Sequence, residues 1–390
     1  MLQIPTQPRH DWKKTAQEFN FGFHTFDDEP YWTEDRYFQF TLTQIERDIE
    51  QPTEEIHQMS LNAIAKVIES DELMAKFQIP ESMWGLVRES WKRRDPSLYS
   101  RIDLAYDGKN PAKLLELNSD TPTSLYELAF FSWLWLEEKV NRGELPQNAD
   151  QFNLLEDLLV RRFIELKPTL AFNTMHFACC KDTIEDRGTV QYLQDCAKEA
   201  GIHSEFVYVE DIGISEDRKY FTDANSKPID TLFKLYPWEY MLREEYSQHL
   251  ETAEINWMEP LWKCISSNKA ILPLLWEMYP GHPNLLEAYF ENDPRVASMD
   301  HYVVKPIFSR EGANITIVKN GEVVEHVDGP YGSEGKIVQA YTPLPRYGDN
   351  HVLIGSWLVN GTAAGIGIRE DEGKITKDSS RFIPHIILGC

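Results

Sequence analysis

Long apolar runs are absent from this chain of 390 residues. The longest run, residues 125–136, is interrupted by Tyr126, Glu127 and Ser132. It is also shorter than the roughly 20 residues that a membrane-spanning helix needs. The N-terminal stretch has no apolar centre of the signal-peptide type. These absences argue against a membrane as partner and predict a cytoplasmic protein.

Cysteine is scarce, and the five residues are Cys179, Cys180, Cys196, Cys264 and Cys390. None of them belongs to a CxxC pair or follows the spacing of a zinc site. An odd number of cysteines in a chain of this size is typical of a reducing compartment. The sequence therefore predicts free thiols rather than a disulfide framework.

Basic residues are also few, since 39 Lys and Arg stand against 63 Asp and Glu, for a formal net charge of -24. Nucleic acid is not expected as a partner, because phosphate binding needs a basic face. A small cationic substrate would suit the acidic field, and acidity that serves only solubility is the alternative. We expect small-molecule substrates, and the sequence indicates no oligomeric state.

Residues 100–124 are the most informative stretch of the chain. Two segments that alternate or run apolar, 101–106 and 113–118, flank a turn rich in Asp, Gly, Asn and Pro. Residues of these types favour tight turns, so the stretch predicts a β-hairpin.

Four polar side chains share one face of this predicted hairpin. Strand side chains alternate between faces, so Arg101 and Asp103 lie together on the first arm. Glu116 and Asn118 lie together on the second arm. A register that is symmetric about the turn places Asp103 opposite Glu116. The same register places Arg101 opposite Asn118.

This arrangement is a candidate metal site. Two ionised carboxylates at roughly 4 Å repel by about 4 kcal/mol at an effective dielectric constant near 20. A cation would offset the repulsion, and two carboxylates with an amide carbonyl are hard oxygen ligands that suit Mg²⁺. Arg101 could hold a phosphoryl group or a developing oxyanion. The alternative is that Arg101 neutralises Asp103 or Glu116 in a surface ion pair.

The flanking regions are predicted to support the hairpin. Residues 11–32 are aromatic-rich and predict an arm packed over another part of the chain, and residues 34–94 have apolar positions at helical spacing. After the hairpin, residues 121–124 lead into a helix and include a candidate Ser or Thr cap. Free N–H groups at that helix start could bind a carboxylate, although an ordinary capped helix explains the same residues.

Residues 150–260 alternate between helix and strand. The predicted elements are helix 154–166, strand 171–180, helix 185–200, strand 205–209 and strand 232–235. This alternation predicts a parallel α/β unit with right-handed crossovers. Ligands bind at the carboxyl ends of such strands, so Asp182 and Glu185 are candidates to hold an amine. A helix start with favourable first-turn charges is an equally good interpretation.

The C-terminal third is rich in predicted strands. They cover residues 301–305, 315–318, 322–327, 337–341, 351–359 and 364–369. The loop 309–314 has a Gly and small residues whose amides could approach a polyphosphate, with Lys305 at its base. A generic hairpin loop fits that pattern equally well. Lys269 lies in an apolar stretch of helical spacing, where lysines usually extend toward solvent.

The final predicted strand carries two further signals. Gly365 and Gly367 alternate on one face, which indicates close approach of another backbone or a ligand. Arg369 and the acids that follow it predict a mobile charged loop, because unpaired like charges repel. An Arg on such a loop can close over phosphates.

Several motifs resemble one enzyme family over essentially the whole chain. They are RID with LELNSDTPTSL, then KDTIEDRGTVQYLQDCA, SNKAILPLLW, KPIFSREGAN and IGSWLVNGTAAGIGIRED. In this order they are similar to the synthetase half of glutathionylspermidine synthase and its stand-alone homologues, which are ATP-grasp amide ligases. The resemblance implies a mixed α/β (α+β) fold of the ATP-grasp type.

The resemblance also implies a division of the chain and a set of site residues. The parts are an N-terminal helical and aromatic region (1–99), a metal-binding hairpin (100–125), a parallel α/β pre-ATP-grasp lobe (126–260), an ATP-grasp lid lobe (261–338) and a C-terminal ATP-grasp lobe (339–390). The implied site residues are catalytic Arg101 and Arg369; Mg²⁺-binding Asp103, Glu116 and Asn118; ATP-binding Lys269, Lys305, Ser309, Gly312 and Gln339; and substrate-binding Thr121, Ser124, Asp182 and Glu185.

The implied reaction joins a carboxylate to an amine. ATP would phosphorylate the carboxylate, the amine would attack the acyl phosphate, and phosphate would leave, with glutathione or a similar thiol peptide and a polyamine or other amine as substrates. Bifunctional members carry an N-terminal amidase domain, which this chain begins too late to contain, so we expect synthesis without cleavage. The alternatives are a non-catalytic nucleotide-binding homologue, a ligase for a different peptide and amine, and a metal-dependent phosphohydrolase.

Overall fold

Residues from two antiparallel sheets and from one parallel sheet line a single cleft. The computed structural model describes residues 1–26, 28–377 and 379–389. Within those ranges, no helix combines the length and the apolar character needed to cross a membrane. The α-helices are Trp12–Glu18, Leu42–Ile45, Gln51–Ile68, Asp71–Lys76, Trp84–Arg93, Ser132–Asn141, Leu155–Leu166, Ile184–Glu199, Trp238–Met241, Lys263–Ser266 and Ile271–Met278. Shorter 3₁₀ or π turns are Glu46–Glu50, Glu81–Met83, Tyr126–Phe131, Lys167–Thr169, Ala171–Asn173, Val209–Asp211, Glu245–His249 and Pro294–Ser298.

The predicted hairpin forms one edge of a six-stranded sheet, called the central sheet below. Its strands are, in order, Arg381–Ile383, Thr362–Asp371, Asn350–Val359, Tyr99–Ala105 and Lys113–Asn118, and Arg346–Tyr347 also pairs with Asn350–Val359. The predicted facing pairs are confirmed, because Asp103 lies opposite Glu116 and Arg101 lies opposite Asn118.

Toward the turn, the hairpin departs from a symmetric register. Leu104 faces Leu114, so Leu115 has no facing partner and forms a bulge. The symmetric register is therefore right at the polar end of the hairpin and wrong beyond it. Because of the bulge, Leu115 lines the cleft next to Glu116.

The second antiparallel sheet, called the lid sheet below, has five strands. They are, in order, Ala288–Phe290, Lys336–Ala340, His301–Pro306, Thr316–Lys319 and Glu322–His326. The strands predicted in this region are confirmed to within one or two residues. Lys269 is placed differently from the prediction, because it lies in a turn between Lys263–Ser266 and Ile271–Met278 rather than inside a helix.

The parallel sheet confirms the predicted α/β unit. Its strands are, in order, Asn256–Met258, Thr231–Leu235, Thr174–Cys179 and His203–Tyr208. Leu159 and Phe163 of one helix pack with Phe177 of the sheet and Leu193 of a second helix in one apolar cluster. The acids that follow the Thr174–Cys179 strand therefore lie at a carboxyl end of the sheet, as predicted.

The two ends of the chain meet in a three-stranded sheet, in which Arg36–Phe40 lies between Leu2–Pro5 and His385–Ile387. The aromatic arm is packed as predicted, since the ring of Phe21 contacts that of Phe131 at 4.7 Å between centroids. Two-stranded pairs complete the fold, namely Thr25–Phe26 with Glu29–Pro30 and Gly213–Ile214 with Phe221–Thr222.

The helix after the hairpin begins without the predicted Ser or Thr cap. Its first turn is the π-turn Tyr126–Phe131, and Leu125 precedes it with no side-chain capping bond. Ser124 instead adopts a left-handed backbone, with φ of 80°. The predicted close approach at Gly365 is confirmed, because a Cβ there would lie 2.9 Å from the carbonyl oxygen of Phe152.

Candidate active site

The cleft has a volume of about 740 Å³ and lies between the central sheet, the lid sheet and the carboxyl ends of the parallel sheet. A smaller recess shares some of its lining residues. The predicted residues that line the cleft are Arg101, Asp103, Glu116, Asn118, Thr121, Ser124, Asp182, Glu185, Lys305, Gly312, Gln339 and Arg369. The recess is lined by Lys269 and Ser309, together with Asn118 and Thr121. The structure therefore brings together every site residue that the sequence predicted.

The polar face of the hairpin is a dense hydrogen-bonded cluster. Arg101 donates from Nε to Asp103 Oδ1 at 2.7 Å and from Nη2 to Oδ2 at 3.0 Å. The amide nitrogen of Asn118 donates to Asp103 at 3.2 Å and to Glu116 at 3.1 Å. The ion pair of Arg101 with Asp103 that the alternative predicted is present, but it is mostly buried rather than at the surface.

The carboxylates have cationic partners within the protein. Lys269 Nζ lies 3.2 Å from Glu116 Oε2. Burial alone would raise the pKa of Glu116, but the charges of Lys269 and Lys305 outweigh it and hold that pKa well below its usual range. Burial and Glu116 raise the pKa of Asp103, against the opposing effect of Arg101. The repulsion that suggested a metal is therefore offset by protein side chains.

The donor set nevertheless fits Mg²⁺. Asp103 and Glu116 supply hard carboxylate oxygens on facing strand positions, and both line the open cleft. Turning the Asn118 amide about its last torsion would present its oxygen in place of its nitrogen. Among the described residues, no cluster combines three or more His, Cys, Asp or Glu side chains as metal ligands. A cation here would thus have two carboxylates and one amide from the protein.

Two buried lysines lie next to this cluster. Lys305 Nζ donates to the carbonyl oxygen of Leu115 at 2.8 Å, at the hairpin bulge. Burial lowers the pKa of Lys305 to about 8, although Glu116 opposes that shift. Lys269 Nζ donates to the carbonyl oxygen of Ser309 at 2.7 Å. Both ammonium groups are therefore held where an anionic ligand in the cleft or the recess would meet them.

The loop 309–314 covers this end of the cleft. Gly312 has φ of +74°, and a Cβ there would lie 2.6 Å from the carbonyl oxygen of Thr376. Only glycine allows this close approach between the loop and the segment after the Thr362–Asp371 strand. The Ser309 hydroxyl is buried and makes no hydrogen bond within the described residues. A polar ligand in the recess would provide such a partner.

An apolar part of the cleft lies between the two antiparallel sheets. It is lined by Leu115, Val303, Ile317, Leu344 and Leu353. Gln339 also lines it, and the side-chain nitrogen of Gln339 donates to the carbonyl oxygen of Leu114 at 3.1 Å. This bond ties the lid sheet to the hairpin. The role of Gln339 in an adenine pocket stays a prediction.

Arg369 is not on a loop, so that part of the prediction is wrong. It lies inside the Thr362–Asp371 strand and faces Leu353 and Phe382 on the two neighbouring strands. Its guanidinium donates to the carbonyl oxygen of Lys377 and lies 5.1 Å from the ring centre of Phe382. Arg369 still lines the cleft, which is what a catalytic role requires.

Two of the three acids after Arg369, Glu370 and Asp371, have hydrogen-bond partners. Glu370 is buried and accepts hydrogen bonds from Arg36 and Arg381. Asp371 accepts from the backbone nitrogen of Gly373 at 2.8 Å. The mobility that the sequence predicted for this charged stretch rested on unpaired charges, whereas the carboxylates of Glu370 and Asp371 both accept hydrogen bonds.

Carboxylates cluster at the end of the cleft that borders the parallel sheet. Asp182 and Glu185 line it as predicted, and Asp186 lies beside them. Burial raises the pKa of Asp186 to about 6, although a hydrogen bond from Thr183 opposes the shift. This end of the cleft suits a cationic ligand.

The structure adds residues that the sequence reasoning missed. Arg310 donates to Thr121 Oγ1 at 2.8 Å and to Glu239 Oε1 at 3.0 Å, and it lines both the cleft and the recess. Its place inside the KPIFSREGAN motif was an available signal. Tyr31 lines the cleft from the aromatic arm and donates to buried Glu127. No local pattern points to that pair, since 96 residues separate its members.

Comparison with known proteins places the chain in a family. A family profile described as glutathionylspermidine synthase preATP-grasp matches residues 3–388. A putative acid–amine ligase of Haemophilus influenzae is 38% identical, with 98% of each chain covered. The bifunctional glutathionylspermidine synthetase/amidase of Escherichia coli is 28% identical over 91% of this chain and 60% of its own length. The trypanothione synthetase of Crithidia fasciculata is 27% identical over 84% of this chain and 53% of its own length.

A solved structure supports the fold. A glutathione synthetase-like effector from Globodera pallida, in apo form, superposes with a TM-score of 0.59 at 9% identity, and the match covers all of both chains. The predicted mixed α/β fold of the ATP-grasp type is confirmed, as is the enzyme class of ATP-dependent carbon–nitrogen ligases. This chain belongs to the glutathionylspermidine synthase preATP-grasp family.

Proposed function

We propose that this protein joins the carboxylate of a thiol peptide to a cationic amine, such as a polyamine, through an acyl phosphate made from ATP. The observation that carries the proposal is the meeting of Arg101, Asp103 and Glu116 with buried Lys305 in one cleft, next to buried Lys269 in the adjoining recess. A protein that only binds nucleotide has no need of a buried arginine and paired carboxylates beside the lysines.

In this proposal, the two lysines and the Mg²⁺ ligands would hold the ATP phosphates in place. Lys269 and Lys305 would hold the ATP phosphates beneath the loop 309–314. Asp103, Glu116 and Asn118 would hold Mg²⁺, which when bound would offset the charge of those phosphates.

The arginines would act on the reacting group itself. Arg101 would be released from Asp103 in part and would stabilise charge on the phosphoryl group and then on the tetrahedral oxyanion. Arg369, on another strand of the same central sheet, would meet the same charge. Both arginines would act by positioning the reacting groups and by stabilising negative charge in the transition state.

The substrates follow from the two ends of the cleft. Thr121 and Ser124 lie near the hairpin, where Arg310 supplies a guanidinium that suits a peptide carboxylate. Asp182, Glu185 and Asp186 supply negative charge for the amine. The names of the relatives, glutathionylspermidine synthetase and trypanothione synthetase, are in keeping with a thiol peptide and a polyamine.

The test measures phosphate release from ATP with glutathione and spermidine, added singly and together, with mass analysis of the product. We expect phosphate release that depends on both substrates and a product heavier than glutathione by one amide-linked amine. Release without an amine would favour a phosphohydrolase. ATP binding without release in any combination of thiol peptides and amines would favour a nucleotide-binding protein that lacks catalysis.

A further inference from the structure

A buried tyrosine–carboxylate pair lies beside the cleft. The hydroxyl of Tyr31 donates to Glu127 Oε1 at 2.7 Å. Tyr31 lines the cleft, whereas Glu127 is only 1% exposed and lies behind it. The second carboxylate oxygen of Glu127 is buried and accepts no hydrogen bond within the described residues. A buried carboxylate oxygen without a partner is costly, so the pair calls for an explanation.

The pair lies between the proposed reaction centre and the proposed amine end. Tyr31 interacts electrostatically with Arg101 and Arg369, and its hydroxyl is within hydrogen-bonding reach of Ser124. Glu127 interacts with Arg369 on one side and with Glu185 on the other. Tyr31 therefore lines the cleft within electrostatic range of both proposed catalytic arginines, and its partner Glu127 is within range of Glu185 at the acidic end.

Glu127 can take up a proton near neutral pH. Burial raises the pKa of Glu127 to about 7, against a hydrogen bond from its own backbone, the hydrogen bond from Tyr31 and the charge of Arg369. The charged and titratable groups that face the pair are Arg101 and Arg369 from the central sheet, Glu185 from the helix Ile184–Glu199, and Tyr126. Ser124 also faces Tyr31. A carboxylate that titrates near working pH suits proton transfer.

A second tyrosine–carboxylate pair shows what a purely structural version looks like. The hydroxyl of Tyr106 donates to Asp48 Oδ2 at 2.6 Å. Arg47 also donates to Asp48 at 2.7 Å, and neither Tyr106 nor Asp48 lines the cleft. Hydrogen bonds from Arg47 and Tyr106 outweigh burial and lower the pKa of Asp48, so this carboxylate stays ionised. In the Tyr31–Glu127 pair, by contrast, Tyr31 lines the cleft, and burial raises the pKa of the carboxylate.

We propose that Tyr31 and Glu127 form a proton relay that deprotonates the incoming ammonium group. The inference rests on the proposed ligase function. The ammonium gives one proton to the Tyr31 oxygen while the phenol proton passes to Glu127. The freed lone pair forms the bond to the acyl carbon, and the bond from that carbon to the phosphate oxygen breaks. The nitrogen's second proton leaves with the phosphate, and Glu127 returns its proton to solvent.

The test separates activation of the carboxylate from attack by the amine. Hydroxylamine is uncharged at neutral pH, so it traps the acyl phosphate of glutathione as a hydroxamate without needing the relay. The rates of hydroxamate formation and of amide formation with spermidine are compared in Tyr31→Phe and Glu127→Gln. The Gln side chain keeps the size and can still accept the hydrogen bond from Tyr31, but it cannot take up a proton. The matched controls are Tyr106→Phe and Asp48→Asn.

The relay predicts that both variants keep hydroxamate formation within about threefold and lose amide formation by about 100-fold, the usual scale of general base catalysis. It also predicts that amide formation by the wild type falls as the pH drops below about 7, and that Glu127→Gln removes this fall. Equal losses of both rates, or variants that behave like the controls, would overturn the relay. Absence of hydroxamate with the wild type would instead count against the proposed ligase itself.

Discussion

The polar hairpin and the loop of residues 372–377, called the C-terminal loop below, line the same cleft but are held in different ways. The hairpin residues are fixed by facing positions on two paired strands. The C-terminal loop is fixed by single contacts with distant segments, such as the hydrogen bond from Lys374 N to Glu325 at 3.1 Å. Strand register therefore fixes the reactive side chains of the hairpin, whereas the position of the C-terminal loop depends on a few individual hydrogen bonds.

The largest effect is expected in the hairpin. Asp103→Asn should lower kcat by at least about 10³-fold, because it removes a proposed metal ligand and the ion-pair partner of Arg101. Asp103→Ala should in addition lower the free energy of unfolding by about 3 kcal/mol, since it leaves Arg101 buried without that carboxylate. Steady-state kinetics and urea unfolding measure the two effects. Activity near the wild-type level would remove this site from the mechanism.

Arg369 lies in a strand of the central sheet and donates a hydrogen bond to Lys377 of the C-terminal loop, so it links the two regions being compared. Arg369→Ala should lower kcat by about 100-fold and change KM for ATP much less, because the guanidinium is expected to meet charge that develops in the transition state. Kinetics at varied ATP concentration separate the two constants. A raised KM with unchanged kcat would indicate that Arg369 only binds the nucleotide.

Lys305 tests whether a buried lysine of the cleft contributes to ATP binding or to stability. Lys305→Met should raise the Kd for ATP by about tenfold, or about 1.4 kcal/mol, with little change in Tm because it removes a buried charge. Lys263→Met is the matched control, since Lys263 is equally buried but pairs with Glu259 and does not line the cleft. Titration calorimetry and thermal unfolding compare the variants. Lower stability with unchanged affinity for Lys305→Met would make that lysine structural.

The smallest effect is expected where the loop 309–314 meets the C-terminal loop. Gly312→Ala would place a Cβ 2.6 Å from the Thr376 oxygen at a left-handed backbone position, so it should raise KM for ATP about threefold to tenfold. Gly281→Ala is the control, because Gly281 has a similar φ of +78° with no atom within 4 Å of a Cβ there. Identical KM values for ATP in the two variants would show that the contact between Gly312 and Thr376 does not affect ATP binding.

The predictable parts of the site are those set by local rules. Alternation of side chains and a turn signal were enough to pair Asp103 with Glu116, and helix–strand alternation was enough for the parallel sheet. The bulge at Leu115 has no local sequence signal, and its carbonyl oxygen accepts a hydrogen bond from Lys305 of the distant lid sheet.

The errors concern contacts between distant segments. Glu370 looked unpaired because one of its partners, Arg36, lies 334 residues away in the sequence, and another, Arg381, meets it only through the pairing of two strands. Tyr31 gave no signal for the same reason, since its carboxylate partner belongs to another element. Charge patterning alone therefore predicts mobility wherever long-range partners are hidden.

The most direct test of the central claim follows an oxygen atom. Glutathione labelled with oxygen-18 in its carboxylates is turned over with ATP and spermidine, and the released phosphate is analysed by phosphorus NMR or mass spectrometry. Formation of an acyl phosphate predicts one labelled oxygen in each phosphate released, because the carboxylate oxygen leaves with the phosphoryl group. Phosphate without label, released while amide forms, would contradict the proposed acyl-phosphate ligase.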